Sequence, residues 1–257
     1  MKIFLKIAYL GTDYCGYQVQ PNGMTVQERL NIAAKAVFGH DCDIVGCSRT
    51  DSGVHARGFC ATVAEKGKNT LSTAIPVCRI PRALNAHLPD DISVLEARAV
   101  DEVFHARYDV VSKEYEYLIY NGTERDPFLK DRVWHIPAPI SDAALTAMQK
   151  AAEGFIGEKD FSALRDGEAD EDAVRHVFSA SVTRRGDMIS FRVRANGFLY
   201  HMVRVMTGTL VDVARGRIPA EEISARIESR NRRLTGSTAP AAGLYLDRVF
   251  YPESEEA

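Results

Sequence analysis

The apolar residues near the N-terminus recur at every second position, which is the period of a β-strand with one buried face. A helical pattern follows, because residues 25–28 form a capping box, apolar residues then recur at helical spacing, and Gly39 closes the segment. The alternating residues are Ile3, Leu5, Ile7 and Tyr9, and the helical ones are Val26, Leu30, Ala33, Ala34 and Val37. The pattern therefore predicts a strand followed by a scaffold helix.

A polar, glycine-containing turn at residues 50–53 separates two apolar runs, 44–45 and 59–63, that are typical of strands. A short helix is predicted around residues 83–87 and a further strand at 92–99. Together these elements predict one sheet with helices on one of its faces.

The second half of the chain repeats this order of strands, a helix and more strands. On its first strand Tyr115, Tyr117 and Ile119 share one face, an arrangement that is ordinarily core or sheet surface. On a later strand Arg192 and Arg194 point away from the apolar side. The predicted elements are a strand at 109–120, a helix at 141–155, a mobile acid-rich loop at 157–172, a hairpin of strands at 174–183 and 188–195, helices at 198–215 and 219–230, and a last strand at 244–250.

The similar order of elements in the two halves predicts an α+β protein of two fused sheet-and-helix lobes with a mixed or antiparallel sheet. The lobes are expected at residues 1–105 and 106–257, with a central basic cleft where they meet. No short internal repeat, low-complexity tract or linker rich in Gly, Ser or Pro interrupts the chain.

The charge of the chain narrows the ways in which it could bind a nucleic acid. The 257 residues carry a formal net charge of -3, so any such site must come from local clustering of basic residues. Arginines do cluster in the second half, and the alternative interpretation is a solvated basic face. They are Arg184, Arg185, Arg192, Arg194, Arg204, Arg215, Arg217, Arg226, Arg230, Arg232 and Arg233.

The five cysteines include no Cys-x-x-Cys pair, and an odd number does not indicate a disulfide framework. Neither a zinc site nor any other metal site is expected. No stretch is long and apolar enough to span a bilayer. We therefore expect reduced thiols, no membrane association and a cytoplasmic location.

Residues 47–56 place a cation, an acid, hydroxyls and an imidazole in one turn between two predicted strands. A carboxylate at Asp51 would be held on a rigid scaffold and would still be reachable from outside. A more ordinary interpretation is a hairpin loop in which Asp51 hydrogen-bonds its own backbone. The residues alone leave both interpretations open.

The string RTDSGVHA at residues 49–56 resembles the signature of the tRNA pseudouridine synthase A (TruA) family, whose catalytic residue is the aspartate of that loop. By position this aspartate is Asp51. The resemblance extends over segments 9–20, 104–107, 196–204 and 239–244. Within the first of them Tyr17 stands where the family commonly carries Trp, and it would keep a stacking face in an RNA-facing loop.

The resemblance implies a pseudouridine synthase fold, a homodimer and a tRNA substrate. The implied reaction isomerises uridines of the anticodon stem-loop, at tRNA positions 38, 39 and 40. It cuts the N-glycosidic bond of a uridine, turns the base over and rejoins it to the sugar through carbon. Because no redox or group-carrier step occurs, no cofactor is expected.

The resemblance also implies roles for individual side chains around Asp51. Arg204 would pair with the Asp51 carboxylate, and Tyr115 would stack on the target base, with Lys113 where the family usually has Arg and with Tyr117 as the fallback. Four further roles are expected. Arg49 would fill the space left by the flipped base or hold a phosphate, His55 would orient the loop, Leu244 would close the pocket, and Arg192 and Arg194 would bind RNA.

Two other classes of function stay open at this point. One is a hydrolase that uses Asp51 as nucleophile on free nucleosides or sugars. The other is a non-catalytic RNA-binding protein that uses the arginine-rich second half. Dependence of the reaction on RNA would separate the first from a pseudouridine synthase, and the absence of chemistry would identify the second.

Overall fold

A computed structural model describes residues 1–167 and 172–252, and within them the chain forms two compact units. Unit 1 comprises Met1–Val111 and the end of the chain from Leu246, and unit 2 comprises Ser112–Tyr245. The sequence placed the boundary at residue 105 and kept the C-terminal strand in the second lobe. The compact units divide at residue 111, and the last strand returns to unit 1 because it pairs there with the strand after the Asp51 loop.

Unit 1 is an antiparallel sheet with two helices. Its strands lie in the order β4-β1-β3-β10, and β2 pairs with β3. The elements are β1 (Lys2–Tyr9), α1 (Val26–Phe38), β2 (Cys42–Gly46), β3 (His55–Glu65), α2 (Ile80–Asn85), β4 (Ile92–Val100) and β10 (Leu244–Phe250), the first two residues of which belong to unit 2.

The buried face of the unit 1 sheet consists of the residues that alternate along β1 and β3. Leu5 pairs with Ala61 and Ile7 with Phe59, and all four are fully buried. The hydroxyl of Thr25 caps α1 by accepting a hydrogen bond from the backbone N–H of Glu28. The predicted strand, the N-cap at Thr25 and the helix are therefore confirmed, because local pattern and burial agree.

Unit 2 is a mixed sheet with helices α3 and α4 in contact with each other. Its antiparallel strands lie in the order β5-β9-β8-β7, and β6 pairs in parallel with β5. The elements are β5 (Ser112–Tyr120), β6 (Trp134–His135), α3 (Asp142–Glu153), β7 (Gly157–Asp160), β8 (Val174–Arg185), β9 (Met188–Ala195), α4 (Met202–Ala214) and α5 (Ile223–Glu228). The α+β class with a mixed sheet is confirmed.

Three predicted elements of unit 2 differ from the structure. Residues 157–164 are not an irregular loop but β7 and a 3-10 turn, since an edge strand with little burial shows no apolar alternation. The rest of that predicted loop includes 168–171, which lie outside the described residues. Helix α4 begins at Met202, four residues late, and only 223–228 of the predicted helix at 219–230 is α-helical.

Candidate active site

The Asp51 loop connects β2 to β3 through a tight turn. The backbone N–H of Val54 donates to the carbonyl of Asp51 at 3.2 Å, and Gly53 has a φ of 79°, in the left-handed region that favours glycine. The Asp51 side chain is only partly buried, while Thr50 beside it is 8% exposed. The turn therefore leaves Asp51 partly exposed and buries the residue before it.

The end of β1 and the segment that leads from it to α1 support this loop through neutral hydrogen bonds. Tyr9 Oη lies 2.8 Å from Thr50 Oγ1, and the Ser52 hydroxyl donates to the carbonyl of Tyr14 at 3.0 Å. The backbone N–H of Gly11 donates to Nδ1 of His55 at 2.9 Å. His55 is fully buried, so its ring is part of the packed structure that supports the loop.

Two glycines allow the supporting segment to approach the loop. A Cβ at Gly11 would lie 2.0 Å from the carbonyl oxygen of Val54, and a Cβ at Gly16 would lie 2.6 Å from that of Thr50. Gly16 also has a φ of 83°. Since backbone atoms cannot give way as a flexible side chain can, larger residues would displace the loop.

Tyr17 does not present a free stacking face. It is 2% exposed, and its ring stacks on Phe59 with centroids 4.1 Å apart. The expectation that Tyr17 faces RNA is wrong for this structure, because the aromatic ring is used to pack β3.

A cavity of about 150 Å³ adjoins the Asp51 loop within unit 1. Arg49 and Arg107 both line it, together with Ser48 and Gln18. Both arginines are exposed on the surface. Arg107 lies in segment 104–107 of the resemblance, but the sequence implies no role for it; the fold brings it to the cavity beside Arg49.

The two candidate tyrosines of β5 are both buried. Tyr115 is 6% exposed, and its ring meets Phe198 edge to face at 5.0 Å. Tyr117 is fully buried, and its hydroxyl donates to the carbonyl of Pro240 at 2.7 Å. Burial raises the pKa of Tyr117, and the charge of Arg204 opposes only part of that rise. Tyr117 is thus part of the core of unit 2.

Arg204 lies in the first turn of α4 and is partly exposed. Its Nε donates to the carbonyl of Ala239 at 2.8 Å, and the N–H of Ala239 donates to the carbonyl of Arg204 at 3.1 Å. This pair of bonds fixes the stem of the side chain. Leu244, at the start of β10, is 6% exposed.

The arginines of β9 lie beside acids of β5. Arg192 pairs with Glu114 at 3.4 Å and with Glu116 at 2.9 Å, since the register places β5 and β9 side by side. Arg194 donates from Nε to the hydroxyl of Ser112 at 2.8 Å. These partners could not be predicted from the sequence, because the neighbours of a residue across two strands depend on strand register.

Many other arginines of the second half also have acidic partners. Those pairs are Arg184 with Asp142, Arg217 with Asp212, Arg226 with Glu222, Arg230 with Asp160 and Arg232 with Asp166. Arg185, Arg215 and Arg233 are exposed. Many arginines of the basic cluster therefore have acidic partners inside unit 2, and two of these, Arg217 and Arg230, are also exposed.

Among residues 1–167 and 172–252, no group of three or more His, Cys, Asp or Glu side chains could hold a metal ion. Within the same described part of the chain, no helix is long and apolar enough to cross a membrane.

Comparison with known proteins places these features in a family. The model of the tRNA pseudouridine synthase family matches residues 6–109 and 151–252. The first block contains the Asp51 loop and Arg107, and the second contains Arg204 and Leu244. Tyr115 and Tyr117 fall between the two matched blocks.

Three bacterial proteins named tRNA pseudouridine synthase A are similar to this chain over nearly its whole length. The one from Acetivibrio thermocellus is 43% identical over 96% of this chain and 98% of its own length. Those from Caldicellulosiruptor saccharolyticus and Bacillus pumilus are each 42% identical, over 97% and 98% of this chain and 99% of their own lengths.

The fold also aligns with a chain of a Cbf5-Nop10-Gar1 complex over 96% of this chain and 59% of that one. The TM-score is 0.36 and the identity 12%, a likeness too low to bear on fold or function. The matched family model and the full-length relatives are sufficient without it: this chain belongs to the tRNA pseudouridine synthase family.

Proposed function

We propose that this chain is an isomerase that converts uridines of tRNA to pseudouridine, with Asp51 as its catalytic carboxylate. The observation that carries the proposal is the Asp51 loop: this chain belongs to the family, and its loop is a tight turn in which Asp51 is only partly buried. In the reaction the C1′–N1 bond breaks, a C1′–C5 bond forms, and the proton on C5 leaves while N1 regains one. No atom is gained or lost overall.

Asp51 acts at the sugar. A carboxylate beside an electron-poor anomeric carbon either adds to C1′ or takes a proton from the sugar, as carboxylates do in glycosidases. Both routes require the carboxylate to stay in one place while the base turns over. The hydrogen bonds of Thr50, Ser52 and His55 supply that rigidity.

Arg204 is assigned the role that the resemblance implies, a cation that stabilises the Asp51 carboxylate in its ionised form. Two features support this assignment. Arg204 lies within a matched block of the family model, and its side chain is held in one orientation by Ala239. A guanidinium fixed in this way loses little rotamer freedom when it forms a bidentate pair.

The target base must leave its stack before Asp51 can reach the sugar, at a cost of a few kcal/mol. Arg49 and Arg107, which line the same cavity, are suited to fill the vacated space or hold a flanking phosphate. Tyr115 is assigned the stacking role, since Tyr117 is committed to the core through Pro240. Stacking requires the ring of Tyr115 to be uncovered.

The remaining assignments follow from burial and charge. His55 orients the loop, Leu244 supplies an apolar wall of the pocket, and Arg192 and Arg194 contact the RNA backbone. We further propose that the anticodon stem-loop, at positions 38 to 40, is the site of modification, that a homodimer is the active form and that the protein works in the cytoplasm.

The decisive experiment uses tRNA transcribed with [5-³H]uridine, because loss of the C5 proton releases tritium. Asp51→Ala should release none, while Asp43→Ala should behave like the unaltered protein. Asp43 is a suitable control, since it lies on β2 in the same unit and its carboxylate accepts from the backbone N–H of Gly67, in a distant turn, at 2.8 Å. Substantial tritium release by Asp51→Ala would overturn the catalytic assignment.

The same preparation separates the other two classes of function. A hydrolase would liberate free uracil and would also act on nucleosides, whereas the isomerase leaves the base attached to the RNA. A binding protein would retain tRNA and release no tritium. Chemical mapping of pseudouridine in the product would test positions 38 to 40.

A further inference from the structure

One carboxylate joins three separate segments of unit 2 close to the start of α4. Asp166 accepts hydrogen bonds at Oδ2 from Nδ1 of His201 at 2.8 Å and from Oγ1 of Thr238 at 2.5 Å. At Oδ1 it accepts from Nε of Arg232 at 2.8 Å. The Asp166 side chain is 28% exposed and that of His201 16%, so these bonds form in a partly buried site.

The carboxylate of Asp166 is ionised, and its oxygens have hydrogen-bond donors. Burial by itself would raise the pKa of Asp166, but the bonds from Thr238, His201 and Arg232 outweigh burial and hold that pKa below its ordinary value. Arg232 is engaged further, since its guanidinium also donates to the carbonyl of Gly236 at 2.7 Å. A satisfied charged network of this kind fixes the positions of its members.

One arm of the network reaches the start of α4. His201 immediately precedes the helix and has a φ of 60°, in the left-handed region that costs a residue other than glycine about 1 kcal/mol or more. The backbone N–H of Asp166 also donates to the carbonyl of Tyr200 at 3.3 Å. These bonds hold the strained turn that immediately precedes α4, the helix that carries Arg204.

The other arm reaches the residue on which Arg204 rests. Thr238 is bonded to Asp166 and immediately precedes Ala239, whose carbonyl accepts from Nε of Arg204. The N–H of Ala239 in turn bonds the carbonyl of Arg204. Asp166 therefore fixes both ends of the clamp on Arg204, namely the helix that carries it and the segment that holds its side chain.

We infer that Asp166 is a positioning residue, which holds Arg204 in the orientation that catalysis uses. The inference rests on the catalytic role given to Arg204 in the proposed function. A misplaced catalytic cation lowers the rate of the chemical step more than it lowers binding of the RNA, because most of the affinity comes from phosphate contacts.

The test is Asp166→Asn, which keeps the shape of the side chain but removes its charge and one acceptor oxygen. Tritium release from tRNA should show kcat lower by about tenfold, equivalent to roughly 1.4 kcal/mol, with KM changed by less than about twofold. Asp160→Asn is the matched control. Asp160 also lies in unit 2, is 22% exposed and pairs with an arginine, Arg230, at 3.0 Å, and its variant should keep the original kcat.

A double-mutant cycle with Arg204→Lys separates positioning from a general structural role. Lysine has no Nε–H with which to bond Ala239, so in that background Asp166→Asn should lower kcat by less than about twofold. If the two losses multiply instead, Asp166 does not act through Arg204 and the inference is wrong.

Two further outcomes are also decisive. If Arg204→Lys and Arg204→Ala both keep full turnover, there is no cation to position and the inference fails, while an inactive Asp51→Ala leaves the proposed function standing. If Asp166→Asn does not fold, Thr238→Val is the alternative. It removes the hydroxyl that donates to Asp166 and accepts from Nη2 of Arg232 at 3.0 Å, and it should give a smaller fall in kcat that disappears in the Arg204→Lys background. An unchanged kcat in folded Thr238→Val would overturn the inference.

Discussion

The Asp51 loop of unit 1 and the Arg204 region of unit 2 are supported by different kinds of contact. Hydroxyls and backbone groups, such as those of Tyr9 and Gly11, bond the side chains of Thr50 and His55 on either side of Asp51. Ionised side chains, Asp166 and Arg232, hold the segments around Arg204. Neutral hydrogen bonds contribute about 0.5–1.5 kcal/mol each, and bonds to charged groups roughly 1.5–3, but only while the groups stay ionised. The two sets of supporting contacts should therefore respond differently to pH.

The largest effect is expected from Gly11→Ala. The new Cβ would lie 2.0 Å from the carbonyl of Val54, so the loop or its support must move, at a cost of about 3 kcal/mol or more. Chemical denaturation would measure the loss of stability, and tritium release the loss of turnover. Gly67→Ala, at a turn with nothing within 4 Å, is the control and should cost only backbone strain. Equal stability of the two variants would contradict the close approach.

Gly208→Ala makes the same comparison in unit 2. Its Cβ would lie 1.7 Å from the carbonyl of Ser237, in the segment that leads to Ala239. We expect a loss of stability like that of Gly11→Ala, about 3 kcal/mol, together with a fall in kcat as the clamp on Arg204 moves. A variant with native stability and native kcat would show that this segment has room to shift.

Tyr9→Phe should have a smaller effect on the neutral support of the loop. It removes the 2.8 Å hydrogen bond to Thr50 in a buried site, which leaves one hydroxyl unsatisfied and costs about 1–2 kcal/mol. The expected readouts are a lower midpoint in denaturant and a reduced kcat. If stability falls and kcat does not, the Thr50 bond supports the fold without fixing the position of Asp51.

The contribution of the charged Asp166 network to stability should be lost at acid pH. Asp166 has a folded-state pKa below its unfolded value, so its contribution to stability is present above the unfolded value, about 3.9, and is lost as the pH falls through the folded one. The free energy of unfolding, measured between neutral pH and pH 3, should fall more steeply below about pH 4. Asp166→Asn should reduce the slope of that fall. Tyr9→Phe should leave the slope unchanged. A slope that persists fully in Asp166→Asn would assign it to other groups, such as Asp160, whose pKa the Ser162 hydroxyl lowers.

The smallest effect is expected from Arg192→Ala on the salt dependence of tRNA binding. Glu114 and Glu116 already neutralise much of the charge with which Arg192 would contact the RNA backbone, so that contact releases few counterions and Arg192→Ala should change the salt slope by well under about one. Exposed Arg233 is the comparison, and Arg233→Ala should lower the slope by about one if that residue contacts a phosphate. If Arg192→Ala lowers the salt slope of tRNA binding by a full unit, RNA must displace the two glutamates from Arg192.

The sequence could predict those elements whose signals are local. Strand β1, the cap of α1 at Thr25, the hairpin of β8 and β9 and the final strand all follow from periodicity and turn residues. Strand β7 could not be found in this way, because it is short and polar and its pairing with β8 is the only feature that makes it a strand. The apolar spacing predicts the start of α4 four residues too early, because the strained turn at His201 does not alter that spacing.

For the candidate site, the order of residues already placed Asp51 in a glycine-containing turn, with Arg49 two positions before it. A carboxylate, its neighbours and a turn are contiguous in the chain, so a motif can specify them without help from the fold. The tertiary structure decided which side chains support that turn and which are buried, as for Tyr17 and Tyr117. It also decided that Asp166, in a segment that the sequence indicated as a mobile loop, accepts from residues 35, 66 and 72 positions away. Contacts over such separations depend on how the strands and helices pack, and no local pattern records them.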